Sequence, residues 1–524
     1  MAAIITDDFR RNSTTFLIDD IKDQNTGAQD SANNTATFEY FVGIGKSDKW
    51  ANDALGNPEG NQNFSTPLPT GSVIESKEVI DNLIGAVAVK QTQAYHVIPR
   101  INWAAGLQYK RWNENDPTMF DVSSVGGQTY YPCYVVAGAA GNERIYVCLD
   151  NNSNSQYAAN LSYIPATSQN EPTGGSSARA PVQTSDGYIW AYVADLNQSS
   201  NFNTDQFISI SNEVLTGADA SDASDKSGGI VYGFEIVSAG SGITSAGGND
   251  ANNFKLLLND NNNSTNIAEI GLTVDTGGTN FSAKGVVMSS YNTIDQFVAQ
   301  TKGSVRASIV PASGTTLATN GAYPIIRPLV SPINGFGYQP TADLPAFYAG
   351  LAVNYNGDVD GELTTNITYR QISLLRNPVR TDDDPSDPTG DGDYGEQEVY
   401  NALRKFTLTG SPDLSAINAG DIIVDSSDGL STTPAKAFVD YVDDANDIVY
   451  FHQNESADIN QQEFTDPSVS GSKIQIDGGS SIAYSAITTP EYTPYTGEVY
   501  FLENRKPIQR AASQEEEIKL VIQF

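Results

Sequence analysis

Tyr131-Pro132-Cys133-Tyr134-Val135-Val136 and Arg144-Ile145-Tyr146-Val147-Cys148-Leu149 are short runs of aromatic and β-branched residues flanking a Gly/Ala/Asn loop. Runs of this kind, bounded by turn residues, read as a β-hairpin. Centring the loop between Ala140 and Gly141 pairs positions whose numbers add to 281, which sets Cys133 opposite Cys148. In a reducing cytosol the expected state of that pair is two buried thiols. The same signature recurs: Thr37-Phe38-Glu39-Tyr40-Phe41-Val42-Gly43-Ile44-Gly45 reads as a strand ending in a Gly-rich turn. Ile230–Ile236 and Phe254–Leu258 read as strands, with turns at Gly242–Gly248 and in the Asn-rich Asn259–Asn266 segment. Ala437–Val442 and Ile448–His452 read as a hairpin across Asp443–Asp447.

Helical periodicity is scarce. Glu75–Ala86 places Val79, Leu83 and Ala86 on one face, and Glu396–Phe406 does the same with Val399, Leu403 and Phe406 behind an acidic first turn. Tyr291–Lys302 is a weaker third helix. The expected class is mainly β and multi-domain: a β-sandwich core, a few short helices and two inserted β-rich domains. Small polar residues at Thr216–Gly229 and the acidic Thr381–Asp393 mark the insertion points. The expected domains are 1–215 (core, N-terminal part), 216–340 (insert), 341–380 (core strands), 381–487 (acidic insert with one helix) and 488–524 (strands completing the core).

The chain has 524 residues with 29 basic and 63 acidic side chains, a formal net charge of −34. Residues 381–487 hold 21 acids and four bases, net −17, so half of the charge sits in this one segment. A surface so poor in Lys and Arg repels phosphate backbones and anionic bilayers, so no nucleic-acid or membrane partner is expected. The start MAAIITDDFRRNS lacks an apolar run of signal-peptide length, so export by the ordinary secretory route is not expected.

Two histidines and two cysteines close off much chemistry. They are too dispersed for a structural zinc site, and neither His96 nor His452 lies near a G-x-S-x-G elbow, so both are expected to be structural. The acidic run 382–398 breaks the EF-hand order at Asp391-Gly392-Asp393-Tyr394-Gly395-Glu396, and its prolines favour an extended linker. No phosphate-binding or dinucleotide fingerprint is present. The expectation is no metal, no cofactor and no catalytic residue.

Six blocks, in order, resemble one family. They are Phe41-Val42-Gly43-Ile44-Gly45-Lys46-Ser47-Asp48-Lys49-Trp50; the run from Pro67-Leu68-Pro69-Thr70 to Val97-Ile98-Pro99-Arg100-Ile101-Asn102-Trp103; and Tyr146-Val147-Cys148-Leu149-Asp150. Then come Asp186-Gly187-Tyr188-Ile189-Trp190-Ala191-Tyr192, Tyr369-Arg370-Gln371-Ile372-Ser373-Leu374-Leu375-Arg376-Asn377-Pro378, and Gly497–Ile508 followed by Glu515–Phe524. Together they resemble the baseplate wedge subunit, the gene product eight family, of T-even-like contractile-tailed bacteriophages, in an enlarged form similar to those of cyanobacterial phages. The resemblance covers about residues 1–215, 341–380 and 488–524 and is silent on the inserts. It implies a non-enzymatic virion protein of the tail baseplate, assembled in the host cytoplasm. It further implies a homodimer within each wedge, in contact with other wedge subunits.

The base-rich stretch Arg100–Trp112 combines Arg100, Arg111, Trp103 and Trp112, the composition of a protein–protein hot spot. Trp50, Tyr500, Asn504 and Arg505 complete the set of candidate interface residues. Two other function classes remain: a glycan-binding or adhesive tail protein displaying insert tyrosines, and a tail-associated glycosidase using two of the 63 acids.

Overall fold

The computed structural model describes residues 6–22, 40–48, 50, 66–151, 168–173, 181–196, 200, 202–212, 229, 231–238, 241–244, 254–260, 263–271, 273–274, 283–285, 305–311, 316–322, 325–356, 367–378, 399–429, 433–453, 459–460, 462–469, 471–493, 496–510 and 515–524. The chain forms two compact units. One comprises Met1–Thr15, Tyr95–Ala349 and Gln523–Phe524; the other comprises Phe16–Ala94 and Gly350–Ile522. The fold is mainly β, as the sequence leads one to expect, with several antiparallel sheets and few helices.

In the first unit the hairpin forms in the expected register. Tyr134 opposes Val147 and Val136 opposes Ile145, and the Cys148 amide donates to the Cys133 carbonyl at 2.7 Å. Tyr188–Asp195 adds to Arg144–Asn151, and Val182–Gln183 adds to it in turn. Both faces of this sheet are covered, so Tyr-Ile-Trp-Ala-Tyr-Val is a continuous rather than an alternating apolar run. Val135, Tyr146, Cys148, Tyr188 and Trp190 fill one cluster. Tyr134, Val136, Ile145, Val147 and Ile189 fill the other, with Ile98 and Ile208 from the paired strands Ala94–Pro99 and Phe207–Ile210. Cys133 and Cys148 are free, buried thiols that belong to different clusters, and burial pushes both up in pKa.

In the second unit a five-stranded antiparallel sheet runs Val399–Asn401, Leu83–Ala88, Tyr40–Gly45, Thr368–Arg376, Glu498–Gln509. The sheet narrows at Gly45, where a register shift brings the backbone against the next strand: a Cβ there would lie 2.8 Å from the Asn82 carbonyl oxygen. Main chain cannot yield as a side chain does, so Gly45→Ala is expected to cost about 1–3 kcal/mol. Chemical denaturation of the two proteins, read at equal m-value, checks this.

Six further strands of the unit close into a barrel, Arg404–Leu408, Ile448–His452, Lys436–Asp443, Ile422–Asp425, Lys473–Ile476 and Ser481–Thr488. Alternate residues point inward: Phe406 and Leu408, Val449 and Phe451, Ile474 and Ile476. The expected 437–442/448–452 hairpin is present, with Phe438 opposite His452 and Asp447 in the left-handed region at φ 56°.

Three expectations are corrected or fall elsewhere. Residues 399–408 form two strands and not the expected helix. The spacing of Val399, Leu403 and Phe406 mimics a helical face, but the period-2 pair Phe406/Leu408 wins because the barrel buries it. The Asn-rich segment is a strand from Asn263 onward, paired with Phe254–Asp260. The expected 291–302 helix and both insertion points, apart from Gly229, lie outside the described residues.

A helix absent from the sequence reading spans Asp7–Lys22. Its buried face, Thr14, Leu17, Ile18 and Ile21, has regular 3–4 spacing. Phe9 and Phe16 lie exposed on the opposite side and obscure that period. The second helix, Val73–Asp81, starts two residues before its expected position and ends before Leu83 and Ala86, which are expected on its apolar face but are buried in the strand Leu83–Ala88.

Candidate protein interface

The strand Glu498–Gln509 forms one margin of the five-stranded sheet. Ile508 opposes Tyr369 and Asn504 opposes Gln371, so Arg505, Lys506 and Pro507 together face only Arg370. This is a bulge of three residues against one. Pro507 has no N–H to give to the ladder, which is why pairing lapses there. The bulge turns Arg505 and Lys506 outward, where both are exposed, and Arg505 Nε meets Glu503 Oε1 at 3.1 Å.

Asn504 points the other way and is buried. It accepts from Gln371 Nε2 at 2.9 Å and donates through Nδ2 to the Pro67 carbonyl at 3.0 Å. That bond fixes the segment 67–74 beside the bulge. The segment carries three strongly exposed aliphatic side chains: Leu68 at 85%, Val73 at 87% and Ile74 at 67%. They are held out in ordered structure. Ser72 caps the Val73–Asp81 helix by accepting from the Glu75 amide at 3.1 Å, and Glu75 Oε2 accepts from the Thr70 and Gly71 amides at 2.7 Å. A capped helix start has no local reason to expose Val and Ile.

Trp50 joins the same surface through its indole N–H, which donates to the Arg505 carbonyl at 3.1 Å. Lys46 Nζ lies 4.7 Å from the Trp50 ring centre and 3.0 Å from Asp48. Tyr500, 41% exposed, sets its ring edge-on to Tyr40 at 5.9 Å. Burial, then the hydrogen bond to Asp20, pushes the Tyr40 phenol up.

The Arg100–Trp112 stretch lies in the other unit and is mostly committed internally. Trp112 is 6% exposed, with edge-on contacts to Tyr232 at 5.6 Å and Phe336 at 5.3 Å. It is a core residue of its own unit. Arg100 pairs with Glu143 and donates to Asn102 Oδ1 at 2.9 Å. Trp103 is half-buried, with its indole on Ser168 Oγ at 3.1 Å, and Arg111 is half-buried as well. The structure therefore gathers Trp50, Asn504 and Arg505 with Leu68, Val73 and Ile74, which the sequence reading did not select. Their signal was two aliphatic residues ahead of the helical face and a Leu between prolines, both explicable as ordinary packing.

Neither histidine adds chemistry at this surface. His96 is buried, with Nε2 at 3.0 Å from Thr15 Oγ1, and His452 is buried inside the barrel unit. Among the described residues no group of His, Cys, Asp and Glu could hold a metal ion, and no helix is long and apolar enough to cross a membrane.

Residues 3–216 match the family model described as Bacteriophage T4, Gp8. Baseplate wedge protein gp8 of Enterobacteria phage T4 is 25% identical over 183 residues, which is 32% of this chain and 51% of that relative. The chain thus spans about half the length of the curated relative it matches. Residues 3–216 are similar to the Gp8 family, the one that the six sequence blocks resemble.

Proposed function

We propose that this chain is a structural subunit of a contractile-tail baseplate wedge, acting through protein–protein contacts and not as an enzyme. The match of residues 3–216 to the Gp8 family carries the reading. On this reading the partners are other wedge subunits and a second copy of the chain, the site of action is the tail of the virion, and assembly takes place in the host cytoplasm.

The way distant blocks come together supports the proposed domain plan. The blocks at 41–50, 369–378 and 497–508 contribute three neighbouring strands of one sheet, and those at 146–150 and 186–192 are paired strands of another. The barrel of residues 404–488 closes on itself between such blocks. The family match stops at residue 216, where the first insert is proposed to begin. We assign 1–215, 341–380 and 488–524 to the wedge core, and 216–340 and 381–487 to inserts.

The contact surface is the patch of Trp50, Leu68, Val73, Ile74, Tyr500 and Arg505, with Asn504 as the buried pin beneath it. Aliphatic and aromatic anchors rimmed by Arg and Lys fit a partner that buries the apolar centre and pairs the rim. Leu68→Asp with Val73→Asp is expected to leave the fold intact, because both side chains lie in solvent. Capture of a co-expressed wedge subunit is expected to weaken by about 2 kcal/mol or more. Unchanged capture by the folded double variant would move the interface elsewhere. Locating the chain in an intact tail by electron microscopy tests the function as a whole, and light scattering of the purified chain tests the dimer.

A further inference from the structure

Among the described residues, the barrel is attached to the five-stranded sheet at two places. The first is a neck. The Asn401 amide donates to Glu491 Oε2 at 2.7 Å, the Glu491 amide donates to the Asn401 carbonyl at 3.0 Å, and Tyr492 Oη donates to the Ile80 carbonyl at 2.8 Å. These bonds clamp the strand entering the barrel at Arg404 to the segment leaving it after Thr488. The second is a polar contact well away from the neck in sequence. Ser47, just past the strand Tyr40–Gly45, donates its hydroxyl to Asp440 Oδ1 on the barrel strand Lys436–Asp443. Arg370 of the sheet holds the Ser47 carbonyl, and Lys46 turns the chain with φ 60°.

The Asp440 side chain is fully buried. Its Oδ1 also accepts from His452 Nδ1 at 2.7 Å, and among the described residues its Oδ2 has no hydrogen-bond partner. A buried carboxylate with one oxygen unsatisfied depends on a nearby positive charge. His452 is the group placed to supply it: it is buried, hydrogen-bonded to that carboxylate and 5.6 Å from the Phe438 ring.

We propose that Ser47, Asp440 and His452 form a latch that seats the barrel on the sheet while His452 carries its proton. Loss of the proton lets the barrel turn about the neck. Burial works against the charged form of His452, the Asp440 charge and hydrogen bond favour it, Asp48 favours it and Lys46 opposes it; the net shift is upward from 6.5. A histidine raised in the folded state stabilises it fully below its unfolded pKa and loses that contribution as pH rises through the folded value. The latch is therefore closed in mildly acidic solution and loosens as pH rises above 6.5. Deprotonation leaves the Asp440 carboxylate buried without its counter-charge, which is what drives the opening. The barrel belongs to the segment holding half of the chain's net charge, so the latch governs where that charge is presented.

The chain has only two histidines, so imidazole resonances of the full-length protein can be assigned with a His96→Gln variant. The expected result is a His452 titration above 6.5 that falls in Asp440→Asn, where the carboxylate no longer offsets burial. Amide exchange at 46–48 and 438–440, corrected for intrinsic rates, is expected to lose protection with rising pH. The loss is about tenfold per unit of pKa shift. The loss disappears in His452→Gln. Ser47→Ala leaves the His–Asp pair intact, so it is expected to expose the 46–48 amides at every pH while protection inside the barrel persists. Flat protection in the native chain, a pH-dependent loss that survives in His452→Gln, or a Ser47→Ala profile identical to the native one would overturn the latch.

Discussion

Phe406→Ala is expected to unfold the barrel at markedly lower denaturant than the native chain, with a loss of about 3–5 kcal/mol. Phe406 is fully buried. Its ring stacks on Phe451 at 4.3 Å and meets Phe464 and Tyr484 at 5.0 Å each. Truncation removes the apolar transfer of a whole ring and leaves a cavity that three aromatic neighbours, each fixed on a different segment, cannot fill. A closed barrel has no frayed margin through which to relax. The measurement is denaturant unfolding followed by tyrosine and tryptophan fluorescence together. The four tryptophans, Trp50, Trp103, Trp112 and Trp190, all lie outside residues 404–488, so a tryptophan signal that stays native while the tyrosine signal is lost marks selective unfolding of the barrel. A loss below about 1 kcal/mol would mean that the site collapses freely, contrary to the packing described.

Comparable in size is the expected effect of Glu516→Ala. Glu516 and Arg510 form an ion pair at 2.7 Å with 8% and 1% side-chain exposure, beneath the Tyr355 ring. Burial raises the Glu516 pKa and the Arg510 guanidinium pulls it back down, yet the net direction stays upward. Desolvation thus outweighs attraction for the acid alone. Removing Glu516 leaves the buried Arg510 guanidinium without that counter-charge, a loss of about 3–5 kcal/mol. The double change Arg510→Met/Glu516→Leu is expected to recover most of that loss, because two well-packed apolar groups avoid both desolvation terms. Thermal unfolding of the three proteins decides it: a double variant no more stable than Glu516→Ala would show that the pair contributes net attraction.

Much of the fold was legible because strand signals here are local. The hairpin register follows from one turn and two apolar runs, and Tyr134 meets Val147 as the centring arithmetic requires. Elsewhere tertiary burial overrode the local pattern. Residues 404–408 could serve a helical face or a barrel interior equally well until the barrel closed around Phe406 and Leu408. The Asp7–Lys22 helix went unread because Phe9 and Phe16 sit on its outer side, so its apolar content lacked a single face. The proposed interface was half legible. Trp50 and Arg505 were selected by residue type, which is also what placed Trp112 in the set before its burial against Tyr232 and Phe336 made it core. Leu68, Val73 and Ile74 could not be chosen from sequence, since nothing local distinguishes an exposed aliphatic side chain from a buried one.

The lapse in pairing at Arg505–Pro507 has a bearing on what this margin does when copies of the chain come close. A straight twelve-residue margin would offer a row of unpaired amides and carbonyls to any passing strand, and identical copies crowded together would grow into fibres. Two outward charges and a proline at the middle of that row deny a newcomer continuous hydrogen bonding. Copies of the chain brought close together are thereby kept from extending one another's sheets, which leaves contact between them to side chains and not to main-chain pairing.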